Sequence, residues 1–110
     1  MPWSPEQGDL VAISFDPQAG HEQKGRRPAL VVSNSKFNKR TGLMMCCPLT
    51  NKDRNIPFHV PVPAASRLTG FIMVEQVKSL DYHARRATRI GKVDRSTLEE
   101  VLAILEACLH

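Results

Sequence analysis

Aromatic residues are scarce in this chain. One tryptophan, one tyrosine and four phenylalanines (Trp3, Phe15, Phe37, Phe58, Phe71 and Tyr82) are all it has. Several of them must fill a core, which excludes a long platform for stacking bases. Cysteine is also sparse and odd in number. Cys46, Cys47 and Cys108 form no C-x-x-C pair, so neither a disulfide framework nor a zinc site is signalled. Reduced, buried thiols in a cytoplasmic protein are the expectation. The opening MPWSPEQGD lacks the apolar region of a secretory signal, and no apolar run approaches the length of a membrane span. Internal repeats and low-complexity segments are absent too.

What remains is ordinary globular material. A length of 110 residues, 42% hydrophobic and 24% charged, fits one compact domain over residues 1–110 with a modest core, and argues against disorder. Fifteen Lys and Arg against eleven Asp and Glu give a formal charge of +4, which favours an anionic partner without identifying one.

The pattern of apolar residues predicts strands over 8–15 (GDLVAISF), 28–33 (PALVVS) and 43–49 (LMMCCPL). Pro28 fits only at a strand start, where no ladder donor is needed. The third run is apolar on both alternating faces, as a strand buried on both sides must be. FHVPV, 58–62, reads as an edge strand because Pro61 interrupts a ladder. Residues 71–80 read as one bent strand or two, and 87–93 as a last short strand. SNSKFNKRTG, 33–42, is turn-rich with room for one helical turn. Its asparagines Asn34 and Asn38, like Asn55, suit base edges in splayed RNA, although in turns they more often serve the backbone.

A terminal helix follows. Ser96 and Glu99 have capping-box spacing, with Asp94 as a rival cap. Leu98, Val101, Leu102, Leu105, Cys108 and Leu109 fall on one helical face. Strands followed by one terminal helix make the fold class α+β, a small curled antiparallel sheet.

The segment 16–27, DPQAGHEQKGRR, places His21, Glu22, Lys24, Arg26 and Arg27 between two apolar strands. Guanidinium groups bind phosphate oxygens in a bidentate manner, and a carboxylate can take a proton from a ribose 2′-OH. Alone, such a loop is commonly just a solvated hairpin.

GDLVAISFDPQAGHEQKGRRPALVVSN, however, resembles the opening of the MazF/PemK/Kid toxin family. The shared features are a Gly-Asp strand, an F-D-P turn, a glycine loop ending E-Q-x-G-x-R-P, and an apolar strand. The likeness continues through FNKRTGLMMCCPLT and EQVKSLDYHARRATRIGKV into the terminal helix.

The resemblance implies a small SH3-like curled antiparallel β-barrel with short helices and a C-terminal helix, assembled as a homodimer. It implies sequence-selective cleavage of single-stranded RNA without metal or cofactor, in the cytoplasm, with a MazE-like antitoxin whose extended tail covers the groove. By motif, Glu22, Arg27 and Thr50 carry over as catalytic residues. His21, Lys24, Arg26, Lys52, Gln76 and Lys78 are the candidate RNA contacts, although Gln76 fits a buried structural role equally well.

His21 stands where many relatives carry a small polar residue. Ala12 and Ser14 replace a bulkier residue and an acid often found in the first strand. Two other readings share the fold: a non-enzymatic toxin like CcdB, and an SH3-like binding module. Proteins like CcdB lack the E-Q-x-G-x-R-P loop, and a binding module leaves Glu22, Arg27 and Thr50 without a purpose.

Overall fold

The computed structural model describes residues 3–14, 26–52, 56–63 and 68–110. They form seven strands: β1 (Asp9–Ser14), β2 (Arg26–Val31), β3 (Leu43–Thr50), β4 (His59–Pro61), β5 (Phe71–Met73), β6 (Lys78–Asp81) and β7 (Thr88–Lys92). Two helices accompany them, α1 (Ser35–Thr41) and α2 (Arg95–Leu109). All pairings are antiparallel, in the order β4-β5-β3-β2-β1-β7, with β6 also on β3. The α+β class with a C-terminal helix is borne out.

β3 is the organising strand. One edge pairs with β2, Ala29 to Val31 lying opposite Pro48 to Cys46. The other edge is shared: residues 43–46 pair with β6, and Leu49 and Thr50 pair with β5. The segment 71–80 is therefore two strands, parted by a 3-10 turn at Val74–Gln76. Burial explains why β3 carries no polar alternation. Cys46 packs with Val11, Ile13, Val31, Met44 and Tyr82 on one face, whereas Cys47 packs with Leu10, Leu30, Leu49, Ile72 and Val101 on the other. Neighbours along β1 and β2 divide in the same way, because successive side chains of a strand point to opposite faces.

Three expectations need correcting. β2 begins at Arg26, not at residue 28, so Pro28 lies inside it. It faces Ala12 of β1, while pairing with β3 starts only at Ala29. The missing N–H therefore falls where the β3 ladder has already ended. The N-cap of α2 is Asp94, with extended backbone and no side-chain cap bond, and Ser96 lies inside the helix. The apolar stripe of α2 is packed through Leu98, Val101, Leu102 and Leu105, but Cys108 is exposed and Leu109 is 72% exposed. Only Cys46 and Cys47 are buried thiols.

α1 owes its boundaries to two residues. Asn34 caps it, accepting from the Phe37 N–H at 2.8 Å. Gly42 ends it in a left-handed conformation (φ 73°) and donates to the Asn38 carbonyl. Asn38 is fully buried. It donates to the Pro5 carbonyl at 2.9 Å, accepts from the Ser33 hydroxyl, and offers its own carbonyl to the Tyr82 hydroxyl at 3.2 Å. These bonds tie the N-terminal arm, α1 and the segment after β6 together.

Candidate nucleic-acid cleft

Arg27 and Arg26 are adjacent at the start of β2, and alternation separates them. Arg26 turns to the scaffold. Its guanidinium donates to the carbonyls of Ala12 and Arg86, both at 2.9 Å, to the Thr88 hydroxyl at 3.0 Å and to the Ser14 hydroxyl at 3.3 Å. It thus clasps β1 and β7 to the segment between β6 and β7. Arg27 is exposed and lines an open cleft of about 240 Å³ with Pro28, Leu49, Thr50, Asn51, Lys52 and Thr69. That volume is below the roughly 300–1,000 Å³ of sites that engulf a small ligand.

The register explains this grouping. Ala29 faces Pro48, so extending the antiparallel pairing outward brings Arg27 toward Thr50 at the far end of β3. From the other side, Phe71 pairs with Thr50 and delivers Thr69 to the cleft. Thr50 is half-buried, and its hydroxyl oxygen accepts from the Lys52 N–H at 3.2 Å. That bond leaves the hydroxyl proton available to donate outward.

Among the sequence candidates, Arg27, Thr50 and Lys52 are therefore brought together. Gln76 and Lys78 are exposed, which sets aside a buried role for Gln76. Lys78 lies away from the cleft: it faces Cys46, four residues along β3 from Thr50, or about 13 Å at the usual strand rise. The 3-10 turn that carries Gln76 is pinned. The Val74 N–H donates to the Phe58 carbonyl at 3.2 Å, and His59 Nε2 lies 2.9 Å from Glu75 Oε2. His59 Nδ1 is buried without a hydrogen-bond partner among the described residues. Glu22, His21 and Lys24 lie outside the described residues.

Sequence reading passed over Asn51, Thr69 and the His59–Glu75 pair. None of them belongs to a charged run or a spaced motif, and the first two meet only when β3 and β5 pair.

The buried cysteines do not supply a nucleophile. Burial pushes the Cys46 thiol up to about 11, against the pull of Lys78 and Arg85. Burial, with Cys46 and Glu75 nearby, pushes Cys47 up to about 12. Neither is a thiolate near neutral pH. Among the described residues, no cluster of three or more His, Cys, Asp or Glu side chains is arranged to hold a metal ion. No helix among them is long and apolar enough to cross a membrane.

The fold and the cleft together define a class: a small antiparallel sheet domain with a terminal helix and an open cleft lined by an arginine, two threonines and a lysine. The chain belongs to the PemK-like, MazF-like toxins of type II toxin-antitoxin systems, whose family model matches residues 6–109. It is 39% identical over 99 residues to the endoribonuclease toxin MazF of Escherichia coli (strain K12), covering 90% of this chain and 88% of that one. It is 42% identical over 110 residues to the endoribonuclease toxin ChpB of the same strain, covering 96% and 94%. Among solved structures, MazF of Deinococcus radiodurans superposes with a TM-score of 0.87 at 42% identity over 98% of both chains. A MazE–MazF crystal structure from the same organism gives 0.89 at 39% identity over 97% of both.

Proposed function

We propose that this protein is the toxin of a type II toxin–antitoxin pair and acts as a sequence-specific endoribonuclease on single-stranded RNA, in the cytoplasm where messenger RNA is found. The observation that carries this reading is the meeting of Arg27 and Thr50 in one open cleft, in a chain whose relatives are endoribonucleases.

In the proposed reaction, the ribose 2′-oxygen attacks the adjacent phosphorus. Its proton passes to the Glu22 carboxylate as general base. The bond to the 5′-oxygen breaks, and that oxygen leaves as a hydroxyl after taking a proton from solvent water. The products are a 2′,3′-cyclic phosphate and a 5′-hydroxyl end. Arg27 stabilises the negative charge that builds on the phosphoryl oxygens; an arginine retains its proton too firmly to serve as the acid. The Thr50 hydroxyl donates to a phosphate oxygen and keeps the backbone in line for displacement. This chemistry needs no metal or cofactor.

Lys52 extends the phosphate track from the cleft. His21 and Lys24, which precede β2 in sequence, contact RNA together with Gln76 and Lys78, so binding weakens with added salt. Arg26, held internally, maintains the geometry of the groove. The active form is a homodimer. Its antitoxin partner is a MazE-like protein whose extended acidic tail competes with RNA for the basic surface; MazE–MazF crystal structures of relatives support this pairing.

The test is direct. Purified protein is incubated with a long single-stranded RNA in EDTA and the new ends are mapped. Discrete cuts bearing cyclic phosphates are expected. Intact RNA, cutting that survives Arg27→Ala unchanged, or cutting at a site whose ribose lacks its 2′-OH would overturn the reading.

A further inference from the structure

The cleft has two chemically different kinds of lining. Arg27 and Lys52 are cations suited to phosphate oxygens. Asn51 and Thr69 are neutral, polar and exposed. Neutral side chains release no counterions, so they add little to general RNA affinity. Amide and hydroxyl groups are, however, among those that hydrogen-bond base edges once a strand is splayed open.

Thr69 sits on a firmly placed piece of backbone. Its neighbour Gly70 offers its carbonyl to the Val62 N–H at 2.9 Å. Phe71 pairs with Thr50. Gly70 lacks a side chain just where the backbone comes against the Thr50 carbonyl, and Asn51 Oδ1 lies 3.1 Å from the place a Cβ would occupy. Asn51 and Thr69 are thus neighbours across Gly70, carried on backbone held close to Thr50. Base selection needs such rigidity, because a hydrogen-bonding group that drifts cannot discriminate.

We infer that Asn51 and Thr69 form the base-reading wall of the cleft, hydrogen-bonding the base of a nucleotide next to the phosphate held by Arg27 and Thr50. This rests on the proposal that Arg27 and Thr50 hold the scissile phosphate. The pair sets which base is accepted beside the cut, and the cations set how tightly any RNA is held.

The experiment uses the full chain and a pool of single-stranded RNA randomised over a short window, with cleaved ends read by sequencing. Thr69→Val keeps the side-chain shape and removes the hydroxyl. Asn51→Ser shortens the amide to a hydroxyl. Thr69→Ser restores the hydroxyl, and thermal melts verify that each variant is folded. The expected result is that Thr69→Val and Asn51→Ser still cut, but relax the base preference at one position beside the cut by about fivefold or more, while Thr69→Ser keeps it. Wild-type base preference at every position in both Thr69→Val and Asn51→Ser, at whatever rate they cut, overturns the inference. Arg27→Ala separates it from its foundation. If that variant is inactive while base preference is unchanged in the other two, only the base-reading wall falls. If it cuts like the wild type, the phosphate reading falls and takes the wall with it.

Discussion

A side-chain carbon on Gly70 would press into the carbonyl oxygen of Thr50. Gly70 also has φ +121°, a backbone conformation that residues with a side chain rarely adopt. The strand that closes the cleft can therefore approach β3 here only because residue 70 has no Cβ. Gly70→Ala should cost about 1–3 kcal/mol of stability in urea melts. Cleavage by the fraction still folded should fall as well, because β5 must move off Thr50. Full activity together with full stability would show that the close approach is unimportant.

For Arg27, charge alone should not suffice. Lysine carries the same charge but cannot present two parallel N–H groups to a phosphate. Arg27→Lys should lower kcat by about 10²-fold, and Arg27→Ala by at least as much. The slope of log affinity against log salt should shrink by about 0.7 in the alanine variant, one phosphate contact's worth for single-stranded RNA. Single-turnover cleavage and filter binding across a salt series report the two quantities separately.

Thr50 is expected to act through orientation. Thr50→Val removes the hydroxyl at constant shape and should lower kcat by about 10–10²-fold with little change in KM. Thr50→Ser should recover most of the rate. If valine and serine behave alike, the hydroxyl has no part in the reaction.

Arg26 should behave unlike its neighbour. Its guanidinium serves four acceptors on β1, β7 and the segment between β6 and β7. Arg26→Ala should lower stability by about 1–3 kcal/mol in denaturant melts. The salt slope of RNA binding should be unchanged, since this cation is engaged inside the fold. A slope reduced as much as in Arg27→Ala would return Arg26 to the RNA surface.

The thiols give a pH test. Burial raises Cys46 to about 11 and Cys47 to about 12 from an ordinary 9.0. The unfolded chain therefore releases these protons at lower pH than the folded one. Stability from this source is intact below about 9 and is lost as pH climbs toward 11–12. Iodoacetamide at pH 8 should label exposed Cys108 in the folded protein and all three cysteines in urea, as mass spectrometry would reveal. Rapid native labelling of Cys46 or Cys47 would contradict the burial.

Much of the fold was legible because burial dictates residue type directly. The unbroken apolar run of β3 signalled two covered faces, and the helical spacing of Leu98, Val101, Leu102 and Leu105 signalled α2. Boundaries were less legible. A strand read from residue 28 leaves Arg26 and Arg27 as equals in a loop, whereas a strand that starts at Arg26 sends them to opposite faces. The exposure of Cys108 and Leu109 was hidden for a related reason: periodicity shows which face of a helix is apolar, not where the supporting surface ends. At the site, Arg27 and Thr50 were found through family motifs. Asn51, Thr69 and Gly70 carry no such signature, because their roles arise only when β5 meets the end of β3.

β4 carries Pro61, and β7 carries Arg89 and Lys92, whose charges gather at the buried carboxylate of Asp9. An unguarded outer strand is a template on which further copies can stack into fibrils, and proline or cations at that position block it. At β4 and β7, then, proline and cations discourage a second copy from adding a strand.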